Sequence, residues 1–102
     1  MIVYVDIDGT ICNGIYPVYE KALPIPHRIK NINTLYQKGH TIVYWTARGC
    51  GSKKDYTALT KRQLIKWGCK YHELVMNKKP LYDVLIDDNC ENASILDNGL
   101  FL

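Results

Sequence analysis

The sequence predicts an α/β protein with a doubly wound, Rossmann-like parallel sheet and helices on both faces. Short runs of β-branched and aromatic residues alternate along the chain with segments whose apolar residues recur at helical spacing. Composition agrees, since 47% hydrophobic and 23% charged residues are ordinary for a globular protein. No internal repeat or linker-like stretch divides the chain. We therefore expect residues 1–102 to form a single domain.

The first predicted strand contains no polar residue, as expected for a strand that is buried on both faces of a parallel sheet. The later strands are also rich in β-branched or aliphatic residues. The predicted strands are Ile2–Val5, His40–Thr46, Leu74–Met76 and Val84–Ile86, with Gly99–Leu102 as a further edge strand.

Two longer helices are expected between these strands. Pro26 suits the first turn of the earlier helix, and Lys38-Gly39 is a typical end. Ser52 or Asp55 is expected to cap the later helix, which stops at Gly68. Its predicted inward residues are Tyr56, Leu59, Leu64, Ile65 and Trp67; those of the earlier helix are Ile29, Ile32, Leu35 and Tyr36. A short third helix is predicted over Glu91–Leu96.

Charge and cysteine usage restrict the classes of protein that fit. The net charge of +3 is too small to indicate nucleic-acid binding by itself. No apolar run reaches the length of a membrane span, and the start is strand-like, so a soluble, cytoplasmic protein is expected. The four cysteines are widely and irregularly spaced, which indicates free thiols rather than a zinc or redox motif.

Polar side chains follow three of the predicted strands. The pair Asp6 and Asp8 ends the first strand, Thr46 ends the second, and Asp87-Asp88 ends the last. Ligands bind in the crevice at the carboxyl ends of strands in open α/β sheets, so these groups are expected to cluster there. Four clustered carboxylates would repel one another without a cation. An all-oxygen site with few protein ligands suits Mg²⁺.

These residues carry a resemblance to a known family. The chain resembles the haloacid dehalogenase superfamily of aspartate-nucleophile phosphohydrolases along essentially its whole length. Asp6-Ile7-Asp8-Gly9-Thr10 matches the first motif, Thr46 the second, Lys79 the third, and Asp87-Asp88 the acidic fourth.

The resemblance implies a role for each matched residue. Asp6 would attack phosphorus and form an aspartyl-phosphate, while Asp8 would act as general acid and then general base. The implied phosphate-binding or substrate-binding residues are Gly9, Thr10, Thr46, Ala47, Arg48 and Lys79, with backbone amides near Gly9 contributing. The implied Mg²⁺ ligands are Asp6, Asp8 through its backbone carbonyl, Asp87, and Asp88 directly or through water.

Two of these assignments have alternatives. Lys78 competes with Lys79 as the lysine that neutralises phosphate, although family members often carry lysine directly before proline. Arg48 either contacts the substrate, through a carboxylate or a second phosphate, or pairs with a nearby carboxylate of the protein.

Larger members of the family that the chain resembles carry an inserted cap domain. The corresponding stretches of this sequence contain little beyond one helix each and the segment 12–22. We expect that segment to fold over the site as a loop or short hairpin. A capless site must be closed by a neighbouring subunit or by a large substrate. The first alternative predicts a homo-oligomer, associated through the loop 11–23, that hydrolyses a small sugar-type phosphate of carbohydrate or capsule biosynthesis. The second predicts a polynucleotide 3′-phosphatase, against which the modest charge weighs. A non-catalytic scaffold with the same fold is the third alternative.

Overall fold

The computed structural model describes residues 1–49, 54–76 and 84–86, the last as backbone. Four strands form one sheet in the order β3-β2-β1-β4, and every pairing in it is parallel. The strands are β1 (Ile2–Asp6), β2 (Thr41–Thr46), β3 (Glu73–Met76) and β4 (Val84–Ile86). Helix α1 (Pro26–Gln37) follows β1, and helix α2 (Thr57–Lys66) follows β2. The predicted α/β class and parallel sheet are confirmed.

The predicted strand bounds shift by a residue at three ends. Strand β1 continues to Asp6, β2 begins at Thr41 rather than at His40, and β3 begins at Glu73. Burial along β1 alternates, because Val3 and Val5 are fully buried whereas Ile2 is 43% exposed. The prediction that this strand is buried on both faces is therefore wrong at its amino end.

Helix α1 follows its predicted pattern. Pro26 occupies the first turn, and Gly39 lies just beyond the helix with φ of 96°, a conformation that suits glycine at a helix end. Three residues of the predicted apolar stripe are buried, and the fourth, Tyr36, packs partly buried against the core. The buried residues are Ile29, Ile32 and Leu35.

Helix α2 differs from its predicted pattern. Asp55 supports the start of the helix, since its Oδ1 accepts a hydrogen bond of 2.9 Å from the Thr57 N–H; Ser52 lies outside the described residues. Ile65, predicted to point inward, is 74% exposed, and this prediction is wrong. Thr60 and Gln63 are buried beside Leu64 instead. The face that α2 turns inward is largely polar because it contacts the Arg48 guanidinium.

The core combines one face of the sheet with both helices and the start of the loop that follows β1. Its buried members include Val3, Val5, Ile7, Ile11, Ile32, Leu35, Ile42, Tyr44 and Leu64. In the part of the chain that the structure describes, no helix is long and apolar enough to cross a membrane. The predicted helix at 91–96, the edge strand at 99–102, Cys50 and Cys90 lie outside the described residues.

Candidate active site

The carboxyl end of β1 places Asp6 at the edge of the sheet. Asp6 is half-buried and pairs in register with Trp45, one residue before Thr46 ends β2. The Ile7 N–H donates a hydrogen bond of 2.8 Å to Asp6 Oδ1. The first predicted carboxylate and the predicted threonine therefore lie at the same edge of the sheet, as parallel strands require.

A tight turn follows Asp6 and reverses the chain. Gly9 has φ of 83°, a conformation that favours glycine, and this allows the chain to leave the sheet at that point. The N–H groups of Gly9 and Thr10 donate to the carbonyl oxygens of Cys12 and Ile7 at 2.8 and 3.2 Å. These two amides are used within the turn, and the expectation that backbone amides near Gly9 contact the phosphate stays a prediction.

Arg28 of α1 supports the same turn from outside. Its Nη1 donates hydrogen bonds of 3.3 and 3.2 Å to the carbonyl oxygens of Gly9 and Thr10. Sequence reasoning missed this residue, since it belongs to a helix that is remote in sequence from the turn it contacts. The contact joins α1 to the predicted first motif.

Asp8 is held by Arg48 in a bidentate ion pair. Arg48 Nη2 donates to Asp8 Oδ1 at 2.7 Å, and Arg48 Nε donates to Asp8 Oδ2 at 2.9 Å. The side chain of Arg48 is fully buried, and that of Asp8 is 21% exposed. Of the two alternatives for Arg48, the structure shows the pair with a protein carboxylate; a contact with substrate stays a prediction. The pair fixes the plane of the Asp8 carboxylate.

The rest of the guanidinium is also fully engaged. Arg48 Nη1 donates to Gln63 Oε1 at 2.5 Å and to Thr60 Oγ1 at 3.2 Å. The Tyr19 ring lies over the group, with its centroid 4.8 Å from Cζ. Burial by itself would lower the pKa of Arg48, but the hydrogen bonds and charge of Asp8 outweigh it and raise that pKa. Arg48 thus stays charged and acts as a fixed support.

Thr46 and its neighbours form the turn that carries Arg48. Thr46 is 1% exposed, and its Oγ1 accepts a hydrogen bond of 3.1 Å from the Arg48 N–H. Ala47 between them is exposed. Thr10 is buried, and its Oγ1 has no hydrogen-bond partner among the described residues. The predicted phosphate contacts of Thr46, Ala47 and Thr10 stay predictions.

The loop after the turn folds back over Asp8, as the sequence predicts. Its ends are joined by antiparallel pairing: the Asn13 N–H donates to the Leu23 carbonyl at 3.0 Å, and the Ile25 N–H donates to the Ile11 carbonyl at 2.8 Å. The loop contains a 3₁₀ turn, Tyr19–Lys21. Gln63 Nε2 donates to the Tyr19 carbonyl at 2.8 Å, so α2 holds the loop as well as Arg48.

Gly14 and Cys12 line the contact between the loop and Asp8. A Cβ at position 14 would lie 1.9 Å from Asp8 Oδ1, so only glycine allows this approach. Burial raises the pKa of the Cys12 thiol to about 12. The thiol therefore remains protonated, and its Sγ lies 3.5 Å from Asp8 Oδ1 as a weak donor. A Cys-Asn-Gly string gives no hint of either contact.

Several predicted site residues are not described. Lys78, Lys79, Asp87 and Asp88 lie outside the described residues. Within the described part of the chain, no group of three or more His, Cys, Asp or Glu side chains is placed to hold a metal ion. Of the four predicted metal ligands, Asp6 and Asp8 lie within the described residues, both at the end of β1 or in the turn that follows it.

Solved structures of similar fold include a bacterial structural genomics target and a chain of a larger complex. A structural genomics target from Vibrio cholerae is 26% identical, with a TM-score of 0.72, and the match covers 93% of this chain and 85% of that one. A chain of a Pnkp1/Rnl/Hen1 complex is 23% identical, with a TM-score of 0.62. That match covers 92% of this chain and 32% of the larger one, so this chain spans about a third of its length. No protein-family model and no curated protein matches the chain. The two likenesses support the α/β fold.

Proposed function

We propose that this protein is a Mg²⁺-dependent phosphomonoester hydrolase of the haloacid dehalogenase type, with a doubly wound, Rossmann-like core. The observation that carries the proposal is the end of β1. There, Asp6 lies at the edge of the sheet, and Asp8, two residues later, is held by a buried bidentate arginine. Asp6, half-buried at the strand end, is the proposed nucleophile, and Asp8, which Arg48 holds in one orientation, is the proposed carrier of the proton.

The proposed reaction has two steps, formation of the aspartyl-phosphate and its hydrolysis, and Asp6 and Asp8 each act in both. Asp6 attacks phosphorus, and the bond from phosphorus to the ester oxygen breaks as Asp8 gives that oxygen a proton. Asp8 then takes a proton from a water molecule, whose oxygen attacks phosphorus and releases Asp6 with inorganic phosphate. Arg48 is proposed to keep Asp8 in place through both steps. Lys79 is proposed to neutralise the phosphoryl oxygens.

The available donor set suits a magnesium ion. The candidate ligands are Asp6, the Asp8 carbonyl, Asp87 and Asp88, and oxygen donors are those that Mg²⁺ prefers. The Asp8 carboxylate is engaged by Arg48, which favours its carbonyl as the ligand. The register of β4 supports including Asp87: Ile86 pairs with Val5, and Asp87 follows Ile86 in sequence as Asp6 follows Val5. When bound, the ion would neutralise charge between Asp6 and the phosphate.

The decisive experiment replaces the nucleophile by its isosteric amide. Asp6→Asn should lower the turnover of p-nitrophenyl phosphate by about 10⁴-fold or more, since removal of a nucleophile costs this much in well-studied hydrolases. Glu73→Gln is the matched control, because Glu73 is an exposed carboxylate at the start of β3. Chelation of divalent ions should abolish the wild-type rate.

Other outcomes would each contradict one part of the proposal. Undiminished turnover by Asp6→Asn would exclude Asp6 as the nucleophile, and a rate insensitive to chelation would exclude the metal. A wild-type protein that binds Mg²⁺ but hydrolyses no member of a panel of phosphomonoesters would favour the non-catalytic scaffold.

A small sugar-type phosphate is the first proposed substrate class. The loop over the site exposes Ile15, Tyr16, Val18 and Leu23 by 69, 63, 39 and 64%. A second copy of the chain could cover this apolar surface and close the site. Light scattering at micromolar concentration should then show a dimer or tetramer, and activity per chain should fall on dilution. A monomer at every concentration would exclude this mode of closure.

A polynucleotide 3′-phosphate is the second candidate. The observation that favours it is a set of clefts lined by lysine and arginine, two of them along α2 and one between α1 and the residues just after α2. The two classes are separated by comparing kcat/KM for a 3′-phosphorylated oligonucleotide with that for hexose phosphates.

A further inference from the structure

Three clefts lie around α2: two are lined by the helix itself, and one lies beyond its end. The first, of about 430 Å³, lies between α1 and the residues just after α2, and Trp67 lines it. The second, of about 180 Å³, shares Trp67 with the first. The third, of about 350 Å³, shares Leu59 and Arg62 with the second. Because each cleft shares lining residues with the next, we consider the three together and call them the α2 groove.

The α2 groove is rich in positive charge. Five exposed cations line the groove, compared with two carboxylates, Glu20 and Asp55. The cations are Lys30, Lys54, Arg62, Lys66 and Lys70. Trp67 lies among them, half-buried and shared by two clefts. A row of cations beside an aromatic side chain is the arrangement that binds single-stranded nucleic acid, through its phosphates and by stacking on its bases.

The dimensions fit a short strand. Helix α2 has ten residues and is therefore about 15 Å long. At about 3.4 Å per stacked nucleotide, this length corresponds to about four nucleotides. Arg62 and Lys66 are four residues apart, so they lie on the same side of α2.

The α2 groove also adjoins the candidate active site. Gln63 lines the second cleft, and its Oε1 accepts a hydrogen bond from Arg48, which holds Asp8. Two side chains thus connect the groove to the Asp8 carboxylate. A ligand in the groove would therefore lie close to the proposed phosphatase site. A nucleic acid, which carries phosphates along its length and at its ends, suits this position better than an acidic protein segment does.

We infer that the α2 groove binds single-stranded nucleic acid, independently of catalysis. If the proposed phosphatase activity holds, this surface favours the second of the two proposed substrate classes, the polynucleotide. The binding itself does not rest on that activity. An oligonucleotide that ends in hydroxyl groups offers no phosphomonoester and tests binding alone.

The test measures the fluorescence anisotropy of a 5′-fluorescein-labelled 12-mer of thymidylate against the full-length wild-type protein at several salt concentrations. Three to five phosphate contacts predict that log K falls with log salt at a slope of about −2 to −3.5. Lys66→Ala should raise the Kd several-fold and reduce this slope by about 0.7. Lys61→Ala is the matched control: it removes the same charge from an exposed position of the same helix that lines none of the three clefts.

Tryptophan emission gives a second readout. Stacking on Trp67 should quench it, and Trp67→Phe should remove most of the quenching because Trp45 lines none of these clefts. Three results would overturn the inference: no salt-dependent binding at low salt, equal weakening by Lys61→Ala and Lys66→Ala, or equally effective competition by polyglutamate of matched charge. The last would identify the groove as a site for an acidic protein.

Discussion

Helices α1 and α2 both end beside a glycine with positive φ, yet they bury different kinds of side chain. Helix α1 buries Ile29, Ile32 and Leu35, a purely apolar stripe. Helix α2 buries Leu64 together with Thr60 and Gln63, and both polar side chains accept hydrogen bonds from Arg48. A helix packed on aliphatic side chains needs an apolar face. A helix packed against a buried guanidinium must supply acceptors, because an unsatisfied buried donor is costly.

The contrast assigns the two helices different tasks. Helix α1 mainly supplies buried apolar area, although Arg28 also supports the turn after β1. Helix α2 completes a chain of contacts that runs from Gln63 through Arg48 to Asp8. Substitutions inside α1 should therefore act on stability, whereas substitutions in this chain of contacts should change stability and turnover together.

The largest expected effect is at Arg48 itself. Arg48→Ala leaves the Asp8 carboxylate without its buried partner, which should lower the free energy of unfolding by about 3–5 kcal/mol and reduce kcat sharply. Arg48→Lys keeps the charge but cannot form the bidentate pair, so it should recover part of the stability and little of kcat. Urea unfolding and steady-state kinetics measure both. Wild-type kcat in folded Arg48→Lys would show that the orientation of Asp8 does not depend on the guanidinium.

The core residues of α1 provide the opposite test. Ile32 is fully buried in the apolar core, and Ile32→Ala should cost about 2–5 kcal/mol of unfolding free energy. Turnover by the folded fraction should stay near that of the wild type, because Ile32 belongs to the apolar core and takes no part in the hydrogen bonds that hold Asp8 and Arg48. Ile32→Val, expected to cost about 0.5–1.5 kcal/mol, is the conservative control. A specific loss of kcat in either variant would contradict the separation of tasks.

Gln63 should have an intermediate effect. Gln63→Ala removes an acceptor from Arg48 and a donor from the Tyr19 carbonyl, and it should cost about 1–3 kcal/mol. Gln63→Glu separates the two contacts, since it keeps an acceptor for Arg48 and loses the donor to the loop. We expect Gln63→Glu to retain more kcat than Gln63→Ala. Equal losses of kcat in the two variants would mean that the contact with the loop, which both remove, is the one that matters.

The smallest effect is expected at Ile65. Because this side chain is 74% exposed, Ile65→Ala should change the free energy of unfolding by less than about 0.5 kcal/mol. Its neighbour Leu64 is fully buried, so Leu64→Ala should cost about 2–5 kcal/mol in the same assay. Similar losses in both variants would show that α2 is rotated relative to the arrangement described.

The sequence by itself determined the features that depend on neighbouring residues. The four parallel strands and helix α1 follow from local runs and periodicity, and Asp6 and Asp8 follow from their place at a strand end before Gly9. Periodicity succeeded for α1 because apolar residues face an apolar core. It failed at Ile65 because a pattern of apolar residues cannot reveal a polar partner.

Only the tertiary structure decided which groups complete the site. Arg48 is 40 residues from Asp8, and Gln63 is 15 residues from Arg48. The sequence left the partner of Arg48 open and gave no signal for Gly14, Arg28, Thr60 or Gln63. Each of these residues acts through a contact made across the fold. Such a contact depends on how the loop, α2 and the end of β1 pack together, and local spacing along the chain does not contain that information.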